Sequence, residues 1–281
     1  MLIELTTKCS MGCTHCMSSC TPNGVDMTPK VLIDALEFVK REGINPVVFS
    51  GGEMFENQYI RELLDIISDY YAPYIPITIT TNGRILSSDM ELYDYFLKFL
   101  KRFKKGRVLI QVTDDPRFYP TKLDEKQRYR LTKLGAIIEG VPGNGKKCLY
   151  PQGRALKNFD ESWWNTKAPK CVNVRFNSIL RPDMTFGGLC RALFSGGYVC
   201  TPQIDPTGDI KLGESALCPP VATIYQSDKE IMDSIRNCNC TGCKISLDIL
   251  KETNDMLYML LNKEPEYRNL MSTLIGGVKY L

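Results

Sequence analysis

The sequence lacks the features that mark membrane, secreted and nucleic-acid-binding proteins. No stretch of its 281 residues approaches the ~20 consecutive apolar residues that are needed to span a bilayer. The amino terminus shows no charged leader followed by an apolar segment, so we expect no secretion signal. The net charge is only +3, which gives no strong electrostatic attraction to nucleic acid. These absences predict a soluble globular protein that acts neither on a membrane nor on nucleic acid.

Cysteine, by contrast, is abundant, with twelve residues in the chain. Without a secretion signal, this number predicts a reducing compartment, in which thiols bind metal rather than form disulfides. We therefore expect a cytoplasmic protein that holds metal through cysteine. The length of the chain allows one large domain, or one domain with a smaller appendage.

Strand and helix patterns alternate over the first half of the chain. Short apolar strands are predicted at residues 2–6, 46–49, 75–80, 107–112 and 136–139, and helices at 29–42, 57–71, 87–104 and 121–134. Thr28 is the expected N-cap of the first helix, with Pro29 at its first position. Repeated βα units predict a parallel sheet with right-handed crossovers. From this pattern alone, an open sheet and a barrel are both possible.

The most distinctive motif follows the first predicted strand. Cys9, Cys13 and Cys16 form a CxxxCxxC pattern in the segment LTTKCSMGCTHC. Three thiolates bind only three irons of a cubane [4Fe-4S] cluster, and the fourth iron is left free to bind another ligand. A zinc site is the alternative, although zinc usually takes paired CxxC units.

Two further motifs follow later strands. Gly51-Gly52-Glu53 comes after the strand at 46–49, and Thr80-Thr81-Asn82-Gly83 comes after the strand at 75–80. Taken singly, each is typical of a tight turn. Together with the cysteines, however, they lie at the carboxyl ends of successive strands, where parallel sheets and barrels place their ligands.

This combination resembles the radical S-adenosylmethionine (radical SAM) enzymes. In that family the open iron chelates the amino and carboxylate groups of the methionine part of S-adenosylmethionine. The resemblance implies that Cys9, Cys13 and Cys16 hold a [4Fe-4S] cluster. His15 occupies the position before the third cysteine, where the family usually carries an aromatic residue.

The resemblance also assigns the two glycine-containing motifs to the cofactor. Gly51, Gly52 and Glu53 match the element that receives the methionine amino group. Thr81 and Asn82 match an element that contacts the ribose. These five residues and His15 are the predicted S-adenosylmethionine site.

The family has a partial (β/α)6 TIM-like barrel, and here the resemblance implies a small cysteine-rich C-terminal extension as well. We expect the core of the barrel at residues 1–145, its completion and a connecting segment at 146–199, and the extension with a C-terminal helix at 200–281. Arg154, in the run PQGRA, resembles a residue that follows the barrel in related enzymes. It is expected to contact the cofactor carboxylate or to anchor the start of a helix, and both roles stay open.

The C-terminal cysteines predict a second metal site. Cys238, Cys240 and Cys243, in NCNCTGCK, are spaced closely enough to converge on one centre, which Cys200 or Cys218 could complete. An auxiliary iron-sulfur cluster is expected, and a zinc site held by the same thiolates is the alternative.

The segment CTPQIDPTGDIKLG, which begins at Cys200, resembles the start of the SPASM or twitch extension of peptide-modifying radical SAM enzymes. In those enzymes a small β-hairpin precedes the auxiliary cluster. The cysteine expected a few residues after Gly208 is missing, and Gly213 stands there instead. We therefore expect one auxiliary cluster rather than two.

The chemistry implied by the resemblance is reductive cleavage of S-adenosylmethionine to a 5′-deoxyadenosyl radical, which abstracts hydrogen from a C–H bond. An electron donor such as flavodoxin or ferredoxin is the implied partner, and no catalytic side chain is assigned. The expected substrate is a peptide or protein, modified by crosslinking or epimerisation, although the cluster motif begins at residue 9 with no leader-binding domain before it. A nucleoside, modified base or small metabolite is the alternative substrate. A non-enzymatic iron-sulfur or zinc module is the third hypothesis, and it predicts four ligands per cluster and no cofactor pocket.

Overall fold

A computed structural model describes residues 1–141, 148–149, 153–163, 183–196, 202–213 and 219–237. Within these residues, eight strands form one open sheet in the order β5-β4-β3-β2-β1-β6-β7-β8. The strands are β1 (Leu2–Glu4), β2 (Val47–Ser50), β3 (Ile77–Thr81), β4 (Val108–Thr113), β5 (Ile137–Glu139), β6 (Gln203–Ile204), β7 (Asp209–Lys211) and β8 (Pro220–Thr223). Neighbours from β5 to β6 pair in parallel, whereas β7 and β8 extend the sheet in antiparallel fashion. The carboxyl ends of six strands therefore lie at one edge of the sheet.

Strand β1 lies near the middle of this sheet. Its Ile3 is opposite Phe49 of β2 on one side and Ile204 of β6 on the other. The loop that carries the first three cysteines therefore leaves a strand that is paired on both sides.

Helices alternate with the strands along the chain, and most of them bury apolar residues in the core on one face of the sheet. They are α1 (Pro29–Arg41), α2 (Ile60–Tyr71), α3 (Arg84–Ser88), α4 (Met90–Lys101), α5 (Glu125–Lys133), α6 (Gly153–Asn158), α7 (Phe186–Gly196) and α8 (Asp228–Arg236). The Thr28 hydroxyl accepts a hydrogen bond from the Val31 N–H, as expected of an N-cap. A capping box of Asp124 and Gln127 begins α5.

The two faces of the sheet differ in chemistry because side chains alternate along each strand. On one face Ile3, Phe49, Ile79 and Ile110 are fully buried in the apolar core beneath the helices. The next residue of each strand faces the opposite side, and these residues are polar: Glu4, Ser50, Thr80 and Gln111. The polar face and the carboxyl edge together border the cavities described below.

The predicted α/β class and parallel sheet are confirmed, and the sheet is open, as in a partial barrel. One helix was predicted at residues 87–104, but the chain forms α3 and α4 there. Asp89 separates the two helices because its carboxylate caps α4 through the N–H groups of Glu91 and Leu92.

The predicted hairpin near residue 208 is also confirmed, since β6 and β7 pair in antiparallel fashion around Gly208. It joins the main sheet next to β1. None of the helices in the described ranges is long and apolar enough to cross a membrane.

Candidate cofactor site at the carboxyl edge of the sheet

The cysteine loop directly follows β1 and is held by backbone contacts at several points. The N–H of Cys9 donates to the carbonyl of Thr21 (2.9 Å), and the N–H of Thr14 donates to the carbonyl of Phe118 (3.0 Å). Cys9 and Cys13 are buried, and Cys16 is half-buried. Burial raises the pKa of Cys9 to about 11 and that of Cys13 to about 12. Both thiols therefore carry protons at neutral pH until a metal displaces them.

The glycine pair after β2 lets two backbone segments touch. The N–H of Gly52 donates to the carbonyl of Thr6 (2.7 Å), and the N–H of Glu53 donates to the carbonyl of Lys8 (2.8 Å). A Cβ on Gly51 would lie 2.5 Å from the oxygen of Thr6, and one on Gly52 would lie 2.2 Å from the oxygen of Lys8. Only glycine fits at these two positions, because any side chain would collide with the backbone that leads into the cysteine loop.

Glu53 connects this turn to the end of β3. Its carboxylate accepts hydrogen bonds from the Thr81 hydroxyl (2.7 Å), the Asn82 N–H (2.7 Å) and the Phe55 N–H (3.2 Å). The side chain is fully buried, and this burial raises the pKa of its carboxyl group. The structure therefore places Glu53 behind the cavity wall, where it fixes two other predicted site residues.

A cavity of about 250 Å³ lies between these segments. Its wall contains the three cysteines of the motif and most of the predicted cofactor residues: Cys9, Cys13, His15, Cys16, Gly51, Gly52, Thr81 and Asn82. Segments that follow three different strands thus meet around one space. Glu53 is the single predicted residue of this N-terminal set that does not border the cavity.

His15 lies in an aromatic cluster. Its ring centroid is 4.7 Å from that of Phe118 and 5.5 Å from that of Tyr119. Burial lowers the pKa of His15 to about 4, so the imidazole is neutral at pH 7. A neutral aromatic ring therefore stands where the motif predicts one.

Comparison with known proteins finds a family similar to part of this chain. Residues 3–134 match the model of the Radical SAM superfamily. This segment, a little under half of the chain, is therefore similar to the domain of that superfamily. Members of the superfamily use a [4Fe-4S] cluster and S-adenosylmethionine, which confirms these two predicted cofactors at the level of the family.

Two curated relatives are similar to parts of the chain. YydG of Bacillus subtilis strain 168, named for peptide biosynthesis, is 33% identical over 97 residues, which are 34% of this chain and 30% of YydG. A Methanosarcina mazei protein named as a GTP 3′,8-cyclase is 27% identical over 90 residues, or 30% of this chain and 26% of the relative. The chain thus spans less than a third of the length of these two relatives. A solved structure of anSMEcpe with bound AdoMet and the Cp18Cys peptide has 14% identity and a TM-score of 0.45, covering 83% of this chain and 79% of that chain.

The three thiols of the cysteine motif are spread around a shared cavity. Among the described residues, no three histidine, cysteine or acidic side chains are grouped closely enough to hold one metal ion. A cubane binds each thiolate at a different iron, so its ligands need not converge on one point. Three thiols around a common cavity therefore match the donor set of a cluster.

Arg154, whose role the sequence left open, borders the same cavity. Its N–H groups donate to the carbonyls of Cys13, Cys16 and Cys20. The remaining guanidinium nitrogen, Nη2, is buried and has no hydrogen-bond partner among the described residues. A buried cationic donor with spare capacity at a cavity wall suits a carboxylate ligand.

Cys20 is a further thiol at this site that the sequence did not assign. It is buried, lines the cavity and forms a hydrogen bond with the Cys16 sulfur. This hydrogen bond lowers the pKa of Cys16 to about 5, and it raises the pKa of Cys20. The position of Cys20 four residues after Cys16 was the only feature of the sequence that could have indicated that it lies at this site.

A second cavity of about 510 Å³ adjoins the first and shares part of its wall, including His15, Thr80 and Tyr119. Its other walls are formed by the ends of β4 and β5 and by residues 140, 141, 148 and 149. Glu139 is the only charged residue among the described residues that line it. The position of this second cavity next to the cysteine loop suits a substrate.

The cysteines predicted to hold the auxiliary cluster lie outside the described residues. They are Cys200, Cys218, Cys238, Cys240 and Cys243. The hairpin expected before that cluster is present, but the cluster itself stays a prediction.

Proposed function

We propose that this protein is an S-adenosylmethionine-dependent radical enzyme. Cys9, Cys13 and Cys16 would hold three irons of a [4Fe-4S] cluster, and the fourth iron would bind the methionine part of the cofactor. With both groups bound, the site would supply a 5′-deoxyadenosyl radical that abstracts hydrogen from an unactivated C–H bond. The observation that carries this proposal is that the three thiols share one cavity with the glycine pair and the end of β3.

The cavity wall offers a complementary group for each part of the cofactor. The backbone of Gly51 and Gly52 would receive the methionine amino group, and Thr81 and Asn82 would contact the ribose. The proposed role of Glu53 is to hold these last two residues in place. Support comes from its hydrogen bonds to both, at 2.7 Å each.

Two more residues would complete the cofactor site. The Nη2 group of Arg154 would donate to the methionine carboxylate, and the neutral ring of His15 would lie against the adenosyl part. The unpartnered buried nitrogen of Arg154 supports the first role, and the aromatic neighbours of His15 support the second. These groups bind and orient the cofactor, and the surrounding protein limits the access of water.

The proposed substrate is a peptide or protein, placed in the second cavity. The name of YydG supports a link with peptides. A phosphorylated nucleotide usually needs Lys or Arg at its phosphates, and Glu139 is the only charged residue on the described part of the wall. The similarity to a protein named as a GTP 3′,8-cyclase keeps a nucleoside or other small metabolite as the second candidate. Crosslinking and epimerisation are the two proposed outcomes for a peptide.

The remaining predictions concern the rest of the chain and its partners. We propose the core at residues 1–145, the connecting segment at 146–199 and the auxiliary-cluster extension at 200–281. Flavodoxin or ferredoxin is the proposed electron donor. An oxygen-sensitive cluster in a chain with twelve cysteines supports a reducing location such as the cytoplasm.

Anaerobic reconstitution with iron and sulfide tests the proposal. Wild-type protein should bind about eight irons, and the Cys9/Cys13/Cys16→Ala variant about four, because each cubane holds four. With dithionite and S-adenosylmethionine, only wild type should form 5′-deoxyadenosine. Cys190→Ala is the matched control, since Cys190 is a buried thiol in α7 that does not border the cavity.

Each alternative gives a different result. About four irons falling to none would remove the auxiliary cluster and leave the C-terminal thiols structural or zinc-bound. A fully loaded wild type that binds S-adenosylmethionine but forms no 5′-deoxyadenosine would contradict the radical enzyme and favour a non-enzymatic module. For the substrate, mass spectrometry after turnover with a peptide encoded beside this gene, compared with GTP, separates the two classes.

A further inference from the structure

A helix far along the sequence holds the cysteine loop. The N–H of Arg154 donates to the carbonyl of Cys16 (2.8 Å), its Nε donates to the carbonyl of Cys13 (2.8 Å), and its Nη1 donates to the carbonyl of Cys20 (2.5 Å). Arg154 and Cys13 are 141 residues apart in the chain. One side chain with its own backbone thus fixes three carbonyls of the loop.

Both ends of α6 contribute to the same attachment. At its start, Gly153 has a φ of +55°, and a Cβ there would lie 2.2 Å from the carbonyl oxygen of Met17. At its end, Asn158 Nδ2 donates to the carbonyl of Thr14 (2.9 Å). Both ends of the helix therefore contact the cysteine loop.

The guanidinium also brings a permanent positive charge to the sulfur atoms. Arg154 borders the same cavity as the thiols of Cys9, Cys13 and Cys16. A negatively charged group held by these thiols would therefore lie beside a fixed cation.

We propose that Arg154 is a positioning residue that shapes the cysteine loop for its cluster and raises the reduction potential of that cluster. The inference rests on the proposed ligation by Cys9, Cys13 and Cys16. Reduction adds one electron to the cluster, and a fixed cation beside it stabilises the added negative charge. The reduced state thus becomes accessible to a weaker electron donor.

The test compares wild type with Arg154→Gln, Arg154→Lys and Asn158→Ala. Arg130→Gln is the matched control, because Arg130 Nη1 also donates to a backbone carbonyl, that of Ser87, but lies away from the cysteine loop. Each protein is reconstituted anaerobically. Iron per chain, the rate of iron loss to a chelator and the midpoint potential from an EPR-monitored titration are then measured.

The variants should separate the effect of Arg154 on the geometry of the cysteine loop from the effect of its positive charge. Arg154→Gln should lose iron about tenfold faster, because removal of a group that orients metal ligands weakens metal binding by about tenfold or more, and its potential should become more negative. Arg154→Lys should lose iron faster but keep a potential near that of wild type, since the charge remains. Asn158→Ala should show a smaller increase in iron loss and no change in potential. Arg130→Gln should match wild type.

The outcomes distinguish this inference from the proposed function. A wild type that takes up no cluster on the three cysteines contradicts the function. A normal wild-type cluster, with iron retention and potential unchanged in Arg154→Gln, overturns the role of Arg154. If circular dichroism shows that Arg154→Gln does not fold, wild-type iron retention in both Arg154→Lys and Asn158→Ala overturns it instead.

Discussion

Replacing Gly52 by alanine tests whether the close approach of two backbones shapes the cluster site. The added Cβ would lie 2.2 Å from the Lys8 oxygen and 3.0 Å from the Cβ of Cys9. Restoring ordinary contact near 3.4 Å requires a displacement of about 1.2 Å, and the first atoms in the way belong to the backbone that leads into Cys9.

The size of the effect follows from that displacement. Overpacking of this kind costs about 1–3 kcal/mol of folding free energy, and each kcal/mol lowers the melting temperature by about 2–4 °C in a domain of this size. A misplacement of about 1 Å near reacting groups costs about 100-fold in rate. We therefore expect Gly52→Ala to fold with a lower melting temperature and to form 5′-deoxyadenosine about 100-fold more slowly.

Thermal unfolding, iron per chain and the rate of 5′-deoxyadenosine formation check this expectation. Gly188→Ala is the control, because Gly188 lies in α7 and its nearest neighbours are side-chain atoms, the first of them 3.3 Å away. Wild-type iron content and wild-type rate in Gly52→Ala would refute the reasoning. Equal losses in both glycine variants would reduce the effect to general destabilisation.

Three more predictions concern single side chains. Glu53→Gln places an amide NH2 group where a carboxylate oxygen of the wild type accepts a hydrogen bond. The free energy of unfolding should therefore fall by about 1–3 kcal/mol. Glu62→Gln, at an exposed residue, should leave the denaturant midpoint unchanged. Hydrogen bonds from Arg117 hold the pKa of Asp115 at about 2, so its contribution to stability is present above about pH 4 and is lost as the pH falls toward 2. Asp115→Asn should be less stable at pH 7, and its melting temperature should fall less steeply than that of wild type as the pH is lowered. An unchanged dependence of the melting temperature on pH would contradict this. Cys20→Ala should keep the iron content of wild type, because three ligands suffice for the cluster, and a loss of iron would make Cys20 a ligand.

Local patterns predicted most of the elements near the site. The Thr28-Pro29 start of α1, the apolar strands and the turn residues all depend on neighbours in the sequence, and the structure has them within a few residues of the predicted bounds. The placement of the motifs at strand ends was also predictable, since a parallel sheet brings its carboxyl ends to one edge.

Contacts between distant segments could not be predicted from such local patterns. No local signal indicates that the carboxylate of Glu53 faces β3 or that Arg154 reaches back to Cys13. These contacts arise from packing across the edge of the sheet. The ambiguity over Arg154 in the sequence had the same origin, because its loop contacts and its spare donor become visible only in three dimensions.

The position of β1 in the sheet also bears on when the cluster can be inserted during synthesis. This strand precedes the cysteine loop, yet its second partner, β6, begins at Gln203, so about 200 residues must leave the ribosome before Leu2 is paired on both sides. The contacts of Arg154 with the cysteine loop likewise form only after Arg154, 141 residues beyond Cys13, has left the ribosome. A nascent chain that exposes the three thiols therefore lacks the contacts that shape their loop until these later segments have emerged, and we expect a cluster to be inserted only after that point.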